Sequence, residues 1–155
     1  MPGSGFRDMG IKARYTQSDI DNMFLVRLRR IDSAVIARLQ QIGETFVNNA
    51  RANGDYGDVT GNLRSSIGYV IVKNGKKIFG SDFGVVKNGR DGQMKGKAHI
   101  ATLISQFQKG YVLIAVAGMD YAAAVESKGK DVLTASSNIA KKQLRVAIRE
   151  FKKQV

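Results

Sequence analysis

His99 is the single histidine of a 155-residue chain without cysteine. A lone imidazole cannot complete a multi-histidine metal site, and no serine or acid stands beside it in a triad motif, so it reads as structural or solvated. Asp55 and Asp58, in "DYGDVTGN", hint at a calcium loop, but the alternating oxygen ligands and the glutamate at the twelfth position are missing. Turn formation and helix capping account better for both acids. "GQMKGKA" approaches a phosphate-binding loop, yet Asp91 stands where the first glycine belongs and Ala98 replaces the hydroxyl that would reach magnesium. Asp82, Phe83 and Gly84 spell a kinase tripeptide with no catalytic loop to accompany it. The expectation is a protein that is not an enzyme, with no catalytic residue, cofactor or metal.

The elements that surround these residues follow from periodicity. Residues 1–17, "MPGSGFRDMGIKARYTQ", have no period and read as a flexible N-terminal arm. From Ser18 onward, Ile20, Phe24, Leu28, Ile31, Val35, Leu39, Ile42 and Phe46 recur at three- and four-residue steps, one stripe on a helix. Ser18 or Asp19 is placed to cap it and Gly54 to stop it, which gives about 33 residues and about 50 Å at 1.5 Å per residue. A helix so long must bend near Gly43 or extend past its own core. "YVIVKNGKKIFG" is a hairpin about Asn74 and Gly75 with a type I′ turn. Residues 84–97 hold four glycines and four basic residues against one acid and read as a basic loop. "AHIATLISQF" follows as a short helix, with a strand as the alternative, and then an apolar strand over 111–118, expected to be central in its sheet. Asp120 starts another short helix. Thr134 or Ser136 caps a last helix with an apolar stripe at Ala140, Leu144, Ala147, Ile148 and Phe151.

That order predicts an α+β fold. A small antiparallel-containing sheet carries the long N-terminal helix and the C-terminal helix packed on it, and residues 18–155 form a single domain. No segment approaches the ~20 apolar residues of a membrane span, so a soluble protein made in the cytoplasm is expected.

Charge supplies the functional hint. Lys and Arg number 25 against 13 Asp and Glu, a formal net charge of +12. Such a field favours a polyanion or an acidic partner. Residues 135–155 alone hold Lys141, Lys142, Arg145, Arg149, Lys152 and Lys153 against Glu150, a net +5. No zinc finger or base-stacking strand accompanies the charge, which suits backbone contact without sequence readout.

Two segments taken together, "TGNLRSSI" and "GMDYAAAVESKGKDVLTASS", resemble the tail-component, or neck, family of long-tailed bacteriophages. Thr60, Gly61, Leu63, Arg64, Ser66 and Ile67 match the first motif, which in that family follows a long N-terminal helix. Tyr121, Ala122, Val125 and Glu126 match the second, ahead of a basic C-terminal helix. The resemblance spans about Ser18 to Val155. It implies a structural virion protein of the head-tail junction, synthesised in the host cytoplasm. Such a tail-completion protein forms a ring of six or twelve copies around the channel through which genomic DNA passes, and joins a head-closure or connector ring to a tail-terminator or tail-tube ring.

Within the first motif, Thr60 is expected to cap a short helix that Leu63 and Ile67 pin to the core. Arg64 is expected to pair with an acid of the same or an adjacent subunit, with Glu126 the candidate. A closed ring needs two different patches per subunit, and the long helix and the 84–97 loop are the ones expected. Lys87, Arg90, Lys95 and Lys97 are the residues expected to face the channel or an acidic ring. The rival expectation is a small basic protein that binds DNA without sequence specificity through the loop and the last helix.

Overall fold

A computed structural model describes residues 14–54, 56–119, 122–129 and 131–154. The arm expected over 1–17 therefore lies mostly outside the described residues. The chain divides after Ala34 into two compact units.

Helix α1 spans Gln17–Ala52, 36 residues. Its cap is Thr16: the Asp19 amide donates to Thr16 Oγ1 at 3.2 Å, and the Thr16 amide donates back to Asp19 Oδ2 at 2.9 Å. This reciprocal box places the cap two residues before the expected Ser18, with Asp19, the other expected cap, as its second member. In the first unit every side chain from Arg14 to Ala34 is exposed except Asp32, which is half-buried.

The second unit holds the core. Helix α2 (Asn62–Ser65) leads into strand β1 (Ile67–Lys73), which turns through Asn74 and Gly75 into β2 (Lys76–Gly80). Positive φ at both turn residues, 50° and 81°, is the type I′ geometry that an Asn-Gly pair makes inexpensive. Helix α3 (Arg90–Ile104), strand β3 (Tyr111–Ala117), helix α4 (Ala122–Ser127) and helix α5 (Thr134–Gln154) complete the order. The fold is α+β, and its sheet runs β2-β1-β3 with both pairings antiparallel.

Strand β1 is buried on both faces because each face has its own cover. Ile67, Tyr69 and Ile71 join Leu39, Phe46, Val47 and Leu63 in one cluster. Val70 and Val72 join Phe83, Ile100, Ile114 and Val116 in the other. Alternation along the strand thus feeds two cores, one lined by α1 residues and one by α3. The expectation that 111–118 is the central strand fails here: β1 is central and β3 is an edge. Strand β3 is apolar because it too packs on both faces, with Leu113, Ala115 and Ala117 against the first cluster and Ile114 and Val116 in the second. Apolarity reported covered faces rather than flanking strands. The opposite edge, β2, exposes Lys76 and Lys77, charges that discourage pairing with another sheet.

The basic loop expected over 84–97 is also corrected. Only residues 84–89 are irregular, and Arg90 begins α3. Gly92 and Gly96, four apart, make a flat face rather than a flexible one. A Cβ on Gly96 would lie 2.6 Å from the Ser66 carbonyl oxygen and 2.6 Å from the Phe83 ring, and one on Gly92 would collide with the Asn62 carbonyl. The absence of side chains lets α3 pack closely against α2 and the start of β1.

Candidate assembly interface

The motif at 58–67 builds a junction between two helix ends. Asp58 has a nearly fully buried side chain, and its carboxylate accepts the amides of Leu63 at 3.2 Å and Arg64 at 3.0 Å. Those are orphan donors at the start of α2, so Asp58 performs the capping expected of Thr60. Thr60 is exposed, and its hydroxyl accepts the Asn62 amide at 3.3 Å. Gly61 supplies a left-handed turn, φ 79°, under the Val86 carbonyl, where any side chain would collide.

Arg64 closes the other helix. Its Nε donates to the Arg51 carbonyl at 2.9 Å and its Nη2 to the Gly54 carbonyl at 3.3 Å, while Nη1 lies 3.8 Å from Asp58 Oδ2. The guanidinium sits 4.7 Å from the centroid of the Tyr56 ring, a cation-π contact. A cation at the carboxyl end of α1 answers its unsatisfied carbonyls and the negative end of its dipole. Tyr56 is held below by its hydroxyl donating to the Ala50 carbonyl at 3.3 Å, and its burial, partly opposed by Arg64, pushes the hydroxyl above the usual tyrosine value. Leu63 and Ile67 are buried in the α1-side core as expected. Ser66 turns its hydroxyl to the Leu63 carbonyl at 2.7 Å. Ser65, which motif matching passes over, accepts the Val86 amide at 2.8 Å and ties α2 to the 84–89 segment.

Within the chain, Arg64 therefore takes Asp58 and two main-chain carbonyls in place of Glu126. Glu126 has another task. Its Oε1 accepts the amides of Leu133 at 3.1 Å and Thr134 at 2.9 Å and the Thr134 hydroxyl, so it caps the start of α5 from a distance. Asp131 adds a bond from the Ala135 amide at 3.0 Å. The Thr134 hydroxyl bond is the main reason the Glu126 carboxyl lies below its usual value, with the two amides adding to it. Thr134 is thus the first residue of α5, capped by acids upstream rather than capping it. Val125 lies in α4, and Tyr121 falls outside the described residues.

Two exposed apolar surfaces remain. The α1 stripe is buried at Leu39, Ile42 and Phe46. In the first unit the same periodic positions are open to solvent: Phe24 is 64% exposed and Leu28 60%, with Ile20 and Ile31 exposed as well. On α5 only Ala147 of the expected stripe is fully buried; Ala140 and Phe151 are half-buried, and Leu144 and Ile148 are exposed.

The four cations expected to face a channel do not form one surface loop. Lys87 donates through Nζ to the Asp58 carbonyl at 2.8 Å and supports the junction. Lys95 pairs with Asp91 one helical turn away, at 3.7 Å. Arg90 and Lys97 are exposed on α3. Among the described residues, no group of three or more His, Cys, Asp or Glu is placed to hold a metal, and no helix is long and apolar enough to cross a membrane. Comparison of the chain with protein-family models, with curated proteins and with solved structures returns no match.

Proposed function

We propose that this chain is a structural virion protein of the bacteriophage head-tail junction, a neck or tail-completion protein that assembles into a ring around the DNA channel. The reading rests on the paired motifs at 60–67 and 121–126 and on one physical observation that carries it. That observation is the apolar stripe of α1, which is buried in the core at Leu39, Ile42 and Phe46 and left in water at Ile20, Phe24, Leu28 and Ile31. Contiguous apolar surface of this kind marks an interaction site.

The occupant is a second copy. Residues 17–34 carry three Asp against three Arg, a neutral segment in a chain of net charge +12, so the surface favours neither an acidic nor a basic partner. A ring needs two different patches on each subunit, and the exposed Leu144 and Ile148 flank of α5 supplies a second apolar patch for the heterologous contact. Head-closure and tail-terminator rings are then the neighbours above and below, and no catalytic step is required of any residue.

The test is the mass of the purified protein by light scattering, together with its position in purified particles. The wild type is expected as ring-sized species, or to form them on docking, and to label at the collar between capsid and tail. Phe24→Ser/Leu28→Ser is expected to remain folded and monomeric. Tight binding of free duplex by a monomer absent from particles would instead select the small DNA-binding protein.

A further inference from the structure

We infer that the solvent face of α5 is a phosphate-backbone contact surface for duplex nucleic acid, with Lys141, Lys142, Arg145, Arg149, Lys152 and Lys153 as its contacts. At 100° per residue these six side chains fall within an arc of about 120°, roughly opposite the buried Ser136 and Ala147. All six are exposed, and among the described residues none is ion-paired. The single acid of the helix's second half, Glu150, lies outside the arc and is turned toward Arg38 at 3.5 Å.

The spacing is what separates this face from an ordinary solvated one. A helix surface made only for solubility mixes signs, because opposite charges three or four apart stabilise it and like charges there destabilise it by similar amounts. Here Lys141, Arg145, Arg149 and Lys153 stand at successive four-residue steps, and the pairs Lys142 with Arg145 and Arg149 with Lys152 stand at three. Every close pair along the arc repels. The helix dipole accounts for the two lysines in the last turn but not for the other four, since its effect fades beyond one turn. A row of like charges held on one face of a rigid helix is complementary to a row of phosphates, and it has no aromatic platform or polar pair to read bases.

The inference also revises which cations matter. Lys87 and Lys95 are engaged with Asp58 and Asp91, so the surface moves from 84–97 to α5. It deepens the ring reading by naming the surface that meets the passing DNA, but its test reads separately from ring formation.

The experiment measures binding of the full-length protein to a short labelled duplex across a series of salt concentrations, with light scattering on the same samples. The variant Lys141→Gln/Arg145→Gln/Arg149→Gln/Lys152→Gln is compared with Arg90→Gln/Lys97→Gln. Each phosphate contact contributes about 0.9 to the slope of log affinity against log salt, so the α5 variant should lose about three to four units of slope per subunit engaged. The α3 variant should keep the wild-type slope. An unchanged slope in the α5 variant, a loss confined to the α3 variant, or no duplex binding at the lowest salt overturns the inference. So does tighter binding of polyglutamate than of duplex at equal ionic strength, which would assign the face to an acidic protein. A wild type that stays monomeric and is absent from the collar of purified particles, yet shows the α5-dependent slope, would sink the ring reading alone.

Discussion

Asp58 and Arg64 meet at 3.8 Å while each caps a different helix: the carboxylate holds the first amides of α2, and the guanidinium holds the Arg51 carbonyl in the last turn of α1 and the Gly54 carbonyl just beyond it. One ion pair therefore fixes the angle at which the long helix hands over to the sheet. Asp58→Ala removes two amide bonds and strands a largely buried guanidinium, at an expected cost of about 2–4 kcal/mol. Arg64→Lys should recover little, because an ammonium cannot span the Arg51 and Gly54 carbonyls as the planar fork does. Urea denaturation of Asp58→Ala, of Arg64→Ala and of the Asp58→Ala/Arg64→Ala double variant should give a coupling energy above about 1 kcal/mol. Simple additivity would show that the two caps act independently.

The cap that Glu126 provides for α5 should be acid-sensitive. Its carboxyl is depressed in the fold, mainly by the Thr134 hydroxyl, so as pH falls the unfolded chain binds the proton first. The stabilisation is complete above the ordinary carboxylate value of 4.5 and is lost as pH drops through the lower folded value. The thermal midpoint of the wild type should fall more steeply below about pH 4.5 than that of Glu126→Gln. Parallel curves for the two proteins would remove Glu126 from the helix start.

Legibility in the sequence tracked the range of the signal. The long helix was written in eight apolar residues at regular steps, and the hairpin in Asn74 and Gly75, because both depend on near neighbours. The partner of Arg64 was not, since main-chain carbonyls have no side-chain signature and Asp58 reads equally well as a turn residue. The short helix expected from Ala98 is the second half of α3, but its first half was hidden because Gly92 and Gly96 lower intrinsic helix propensity, and the close approach that requires them is a tertiary fact. Glu126 was singled out by resemblance, but its partner lay eight residues ahead in the chain rather than across the fold.

Gly96→Ala separates those two views of the glycine pair. In an open helix the change would stabilise by about 1 kcal/mol, because alanine is the better helix former. Here the added methyl would sit 2.6 Å from the Ser66 carbonyl and from the Phe83 ring, and the backbone carbonyl cannot swing aside. The clash should win, with a net loss of about 1–3 kcal/mol by chemical denaturation. Lys97→Ala, next to it but exposed, should change stability by less than about 0.5 kcal/mol. Stabilisation by Gly96→Ala would mean that α3 stands further from the sheet than described.

A chain beginning at Val35 should fold. Among the described residues the first buried core residue is Leu39, and the rest of both hydrophobic clusters, the three strands and the Asp58–Arg64 junction lie beyond it. Residues 17–34 add helix length and exposed apolar side chains, which contribute nothing to a core that does not contain them. Cooperative thermal unfolding with a midpoint within about 5 °C of the monomeric full-length variant Phe24→Ser/Leu28→Ser is the expected outcome, since about 1 kcal/mol shifts such a midpoint by a few degrees. The same truncation should abolish assembly, because it deletes the stripe that a neighbouring copy would cover. If the shortened chain is folded and still forms ring-sized species, the assembly surface is elsewhere, and the α5 flank at Leu144 and Ile148 becomes the contact to substitute next.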